Sequence, residues 1–160
     1  MVKFRPVTIP ISIVLASAYV WYVTRNVNFS GSGAGGKSKG KQFKDVEINI
    51  HQKAPSCRLR AQQGDLLHLH YSGYATSTGK LFESSRESSE PYVFKLGACH
   101  EQGKVECLLG FQKGVTGMCV GEKRKVTIPA HLAYGEEGRG AVPPNVPVLF
   151  HVELVDIDRL

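Results

Sequence analysis

From Asp45 onward, apolar residues recur at every second position in run after run, and this most constrains how the chain can fold. Val46, Ile48 and Ile50 alternate with Glu47, Asn49 and His51, and Leu67, Leu69 and Tyr71 alternate with Leu66, His68 and His70. Tyr92, Phe94 and Leu96 form a third set, Arg124, Val126 and Ile128 a fourth, and Val146, Val148, Phe150, Val152 and Leu154 the longest. Successive side chains of a strand point to opposite faces, so period-two alternation predicts strands with one buried face, as in an antiparallel sheet. Turn chemistry separates the runs at Ser77-Thr78-Gly79-Lys80, Gly97, Gly121 and the Gly/Pro-rich stretch 135–147.

One segment departs from period two. Leu108, Phe111, Val115 and Met118 recur at spacings of three and four, the stripe of a single helix face. Glycines at 110, 114 and 117 weaken that helix by up to ~1 kcal/mol each relative to alanine. Packing across the buried face of the sheet must therefore hold it. The predicted class is α+β, a twisted antiparallel sheet of about five to six strands wrapped around one short α-helix.

The chain carries 20 Lys and Arg against 14 Asp and Glu, a formal net charge of +6. Lys3, Arg5, Arg25, Lys37, Lys39, Lys41 and Lys44 all precede the first acid, Asp45. The other 13 cations face all 14 acids, so the predicted fold is nearly neutral and offers no basic footprint for nucleic acid. Three regions follow. Residues 1–23 hold Lys3 and Arg5 ahead of an apolar run from Val7 to Val23. Ala16-Ser17-Ala18 fits a signal-peptide cleavage site, yet the run approaches the ~20 residues of a spanning helix. A removed signal and a retained signal-anchor both fit, and the anchor is the favoured reading. Residues 24–44 read as a flexible basic Gly/Ser/Lys linker, and residues 45–160 as the folded domain.

Within the linker, GSGAGGKS at 31–38 matches the phosphate-loop pattern letter for letter. That motif works only between a buried strand and a helix whose N–H groups converge on the anion. KSKGKQFK has no apolar stripe to build such a helix, so no nucleotide is expected. Cys57, Cys99, Cys107 and Cys119 allow about three pairings and lack the close spacing of zinc ligands. Behind an export segment, disulfides are the better reading. His68 and His70 share a strand face, but without a third ligand at useful spacing no metal is expected.

GDLLHLHYSGY, GKLFESSRE, PYVFKLG, LLGFQKGVTGMCVGEKRKVTIPAHLAYGEEGRG and VPPNVPVLFHVEL resemble, in order, the successive signatures of the FKBP-type peptidyl-prolyl cis-trans isomerases. These are the macrolide-binding immunophilins, and the resemblance, covering Ile48 to Ile157, is nearest to their secretory-pathway branch. It implies a disulfide between Cys57 and Cys119. It also implies proline-containing polypeptide substrates, macrolide ligands and no cofactor. The implied setting is the endoplasmic reticulum membrane, facing the lumen, or secretion if the signal is cleaved.

By the resemblance, Tyr71, Phe82, Tyr92, Phe111 and Phe150 line a prolyl pocket, with Val142 on its rim. Tyr134 and the backbone N–H of Leu108 donate to substrate carbonyls, and Glu83, where the family usually has aspartate, orients polar groups. Cys107 and Ala141 fall among the substrate-binding positions. Phe111 replaces a common tryptophan, Ser88 stands where many members have an arginine, and Ala141 stands where a larger apolar residue is usual. These departures favour, as an alternative, a non-catalytic module docking proline-containing segments. HEQGKVEC, an insertion before the helix, is bracketed by Cys99 and Cys107, and pairing them would add on the order of 2–3 kcal/mol.

Overall fold

A computed structural model describes residues 43–159. The segment 1–23, most of the linker and the phosphate-loop match lie outside the described residues. Among those described are six strands and one α-helix. In chain order they are β1 (Glu47–Gln52), β2 (Leu66–Ala75), β3 (Leu81–Ser84), β4 (Tyr92–Lys95), α1 (Leu109–Val115), β5 (Lys123–Ile128) and β6 (Val148–Asp158). All pairings are antiparallel, in the order β1-β5-β6-β2-β3, and β4 also pairs with β2. The two short strands divide one edge of β2: Leu66–Leu69 binds β4, and Ser72–Tyr74 binds β3.

The alternation read from the sequence is realised on β2, β5 and β6. Leu67, Leu69, Val126, Ile128, Val148, Phe150 and Leu154 are all fully buried. β1 differs: every residue is exposed, Ile48 at 43% and Ile50 at 48%. As the sheet's terminal strand it has a neighbour on one side only, and the helix does not cover it. β3 was not among the sequence-derived strands, because its four residues are too few to display a period.

The helix is shorter than its stripe. Leu108 is its N-cap and Met118 lies beyond its end, but Leu108, Phe111, Val115 and Met118 are all buried. Seven residues do not make a stable helix in water. The glycines explain why this one persists. A Cβ on Gly110 would overlap Ile128 Cγ2, and one on Gly114 would overlap Val126 Cγ1. Their absence lets the helix backbone settle directly onto β5. Gly117, at φ 74°, ends the helix and donates its N–H to Ala61 O at 2.8 Å.

Arg124, inward-facing on β5, completes the junction. Its Nη1 donates to Gly114 O at 2.8 Å and Thr116 O at 3.0 Å, satisfying carbonyls at the helix C-terminus. Its Nε donates to Glu122 Oε1 at 2.6 Å, and Glu122 Oε2 accepts the Cys119 N–H at 3.1 Å. Arg124 and Glu122 are both buried, so the charge is compensated where it lies.

All four cysteines are paired, Cys57 with Cys119 and Cys99 with Cys107, across Cα separations of 5.3 Å and 4.7 Å. With sequence separations of 62 and 8, loop entropy alone assigns about 4 and about 2.5 kcal/mol. Two disulfides fit a secretory-pathway protein.

Candidate functional site

The site is built where α1, β2, β3 and β6 meet. Tyr71 projects from the inner face of β2, Phe150 from β6 and Phe111 from the helix, all three buried. The rings of Phe111 and Phe150 meet edge to face at 5.1 Å, and Tyr71 touches them at 5.8 and 6.0 Å. Phe82 of β3 stands edge-on to Phe150 and to Tyr134, both at 5.7 Å. Tyr92 of β4 closes the other side, 5.5 Å from Tyr71. Six rings from six segments thus form one continuous edge-to-face cluster, the arrangement aromatic quadrupoles favour.

Gly73 makes this packing possible, and sequence reasoning did not single it out. It lies opposite Glu83 on β3 and Phe150 on β6. A Cβ there would sit 2.7 Å from both Phe150 Cε1 and Phe82 Cζ. A glycine inside a strand is a signal of close approach that could have found it.

Three tyrosine hydroxyls have different surroundings. Tyr71 donates to Glu83 Oε1 at 2.9 Å. Ser88 is exposed and takes part in a local turn, and Arg86 pairs with Glu153 instead. Tyr92 donates to the buried carboxylate of Glu106, another residue not foreseen. Gln112 Nε2 in turn donates to the Glu106 carbonyl at 2.6 Å. The Tyr134 hydroxyl is buried and has no hydrogen-bond partner among the described residues. Burial, then the nearby Glu83 charge, push its pKa up to about 12, and burial likewise raises Tyr71 and Tyr92. Tyr134 therefore stays protonated and remains a donor at any physiological pH.

The remaining expected positions are placed less simply. The Leu108 N–H donates to Val105 O at 3.1 Å, because the 3-10 turn Val105–Cys107 closes onto it. A substrate carbonyl would have to share that donor. Cys107 is held by Cys99 at the end of this turn. Val142, expected on the rim, is drawn into the core, and Ala141 is the exposed tip of a turn closed by two Arg139–Val142 backbone bonds of 2.8 and 2.9 Å. No cluster of three or more potential metal ligands occurs among the described residues, and His68 pairs with Asp158 at 2.9 Å.

A family model described as FKBP-type peptidyl-prolyl cis-trans isomerase matches residues 57–155. "FK506-binding protein 2" of Candida glabrata is 47% identical, over 77% of this chain and 85% of its own. "Peptidyl-prolyl cis-trans isomerase FPR2" of Saccharomyces cerevisiae is 44% identical over 71% and 82%. "Peptidyl-prolyl cis-trans isomerase FKBP2" of Homo sapiens is 38% identical over 81% and 83%. Among solved structures, the N-terminal domain of FKBP42 from Arabidopsis thaliana superposes with a TM-score of 0.62 at 26% identity, covering 74% of this chain and 90% of that one. The order of the motifs and the fold agree with these matches, and the chain belongs to the FKBP-type peptidyl-prolyl cis-trans isomerase family.

Proposed function

We propose that this chain accelerates rotation about X–Pro bonds in polypeptides of the secretory pathway, using the ring cluster as a desolvating pocket. Rotation sacrifices amide resonance, a barrier near 18–20 kcal/mol, and takes tens of seconds or more unaided. The planar amide is the more polar state, because resonance places charge on its oxygen and nitrogen. Apolar rings around the proline remove the hydration that favours planarity, and each ~1.4 kcal/mol of differential stabilisation gives about tenfold in rate. Neither a nucleophile nor a metal is required.

In this reading Tyr71, Phe82, Phe111 and Phe150 receive the prolyl ring, and Tyr92 closes the wall. Tyr134 donates to a substrate carbonyl, and Glu83 fixes Tyr71. Leu108 offers its shared N–H at the helix end, with Cys107, Ala141 and Val142 shaping the approach. A macrolide presenting a proline-like ring and adjacent carbonyls would occupy the same rings. Residues 1–23 would hold the domain at the endoplasmic reticulum membrane through the 24–44 tether, facing the lumen.

The observation that carries the proposal is the orphaned Tyr134 hydroxyl beside Phe82. A buried donor without a partner costs about 1–3 kcal/mol, a debt a bound carbonyl would cancel. Protease-coupled isomerisation of a proline tetrapeptide tests it with Tyr134→Phe. We expect unchanged or slightly higher stability and kcat/KM lowered roughly three- to tenfold, the worth of one hydrogen bond. Wild-type turnover at background despite peptide binding would replace catalysis with docking.

A further inference from the structure

The outer face of the sheet, away from the helix, carries a second concave surface. A hollow of about 300 Å³ is lined by His51, Tyr74, Arg86, Lys123, Lys125 and His151, together with Ser72, Val152 and Arg124, whose guanidinium is engaged on the inner side. These residues come from β1, β2, the loop after β3, β5 and β6, so five separate segments direct cationic or polar groups at one place. Among the described residues no carboxylate lines it. Glu153, on the same face of β6, already engages both oxygens, one with Arg86 at 3.0 Å and the other with Lys123 at 3.2 Å. The Tyr74 and His151 rings pack at 5.4 Å and hold the imidazole in position.

We propose that this hollow is a binding site for a multiply charged oxyanion of the phosphate or sulfate type. Arg86, Lys123 and Lys125 present permanent charge to it, Arg124 is turned inward to Glu122, and the nearby Glu153 is already committed to Arg86 and Lys123. A tetrahedral anion has enough acceptors to bridge donors converging from separate strands. His151 is held below the usual imidazole value, first by burial and then by Lys125, His51 and Arg86. The cations thus oppose its protonation, and a bound dianion would reverse that opposition. Other titratable groups on this face are Glu47 of β1, His68 and His70 of β2, and Glu153, Asp156 and Asp158 of β6, with Asp158 paired to His68. None of these residues belongs to the prolyl site, so anion binding and isomerisation are separable.

The test is a proton NMR titration of the full chain in maltoside micelles, following the ring signals of His51 and His151. Sulfate is the first probe, because its charge is constant between about pH 6 and pH 8 while the imidazoles gain protons as pH falls. We expect saturable shifts, an apparent affinity roughly tenfold higher at the lower pH, and a raised His151 pKa. Lys125→Ala should weaken binding at least about tenfold while leaving prolyl isomerisation at the wild-type rate. Glycerol 3-phosphate and micelles doped with phosphatidic acid then separate a free phosphate from a lipid headgroup, and shifts with either support the site. Linear, non-saturating shifts, shifts reproduced by chloride at matched ionic strength, or shifts that survive Lys125→Ala would overturn it.

Discussion

Gly114→Ala sets two effects of opposite sign against each other within one methyl group. In an exposed helix the substitution stabilises by up to ~1 kcal/mol, because alanine loses less backbone entropy. Here the new Cβ would meet Val126, 3.1 Å from Cγ2, 3.3 Å from Cβ and nearer still to Cγ1. Carbon atoms rest about 3.5–4.0 Å apart, so helix and strand must separate by up to about 1 Å. Val126 is fully buried and β-branched, so its χ1 is restricted and it yields poorly. Overpacking of this kind costs about 1–3 kcal/mol, which outweighs the propensity gain and leaves a net loss of about 1–2 kcal/mol. Gly110→Ala should be worse, because its Cβ also lies 3.0 Å from the immobile Leu132 carbonyl oxygen. Urea denaturation of each variant, with an unchanged m-value, measures the effect. In a double-mutant cycle Val126→Ala should recover at least about 1 kcal/mol when combined with Gly114→Ala and none when combined with Gly110→Ala. A more stable Gly114→Ala protein, or zero coupling to Val126, would show that the helix does not rest on its glycines.

Gly73→Ala places a methyl 2.7 Å from two pocket rings and should lower kcat/KM at least about tenfold, with loss of stability of about 1–3 kcal/mol; isomerisation and melting curves read both. Asp65 is buried and held below its ordinary value of 3.8 by hydrogen bonds from Arg159 at 2.7 and 2.9 Å. A depressed carboxylate contributes stability that is present above its unfolded value and is lost as pH falls through the folded one. Acid titration should therefore show a loss below about pH 4 that Arg159→Ala largely removes. Replacing Cys99 and Cys107 by alanine should cost about 2.5 kcal/mol and raise KM more than it lowers kcat, because the 3-10 turn that positions Leu108 loses its clamp.

The sheet was legible because its long strands are buried on one face, which imposes period two on β2, β5 and β6. β1 kept the same apolar pattern yet buries neither side, since alternation records which residues a strand could bury and not what arrives to cover them. The helix stripe was legible as a face but not in length, because Leu108 and Met118 are buried by flanking turns rather than by helix. In the site, the rings were placed by resemblance. Their polar partners were not, since the Tyr92–Glu106 contact joins residues through an insertion whose path no local pattern encodes. Leu108 and Val142 show the same limit: whether an N–H is engaged, or a valine turns inward, depends on turns between elements.

The Cys99–Cys107 bond also divides the insertion into anchored ends and a replaceable middle. Val105 and Glu106 are buried, whereas His100, Glu101 and Gln102 are largely open to solvent, and the side chain of Arg139 leans over Gly103. Residues 100–102 can therefore be exchanged for other sequences without displacing the helix. That makes this short hoop the natural place to graft a recognition segment and redirect the domain toward chosen clients.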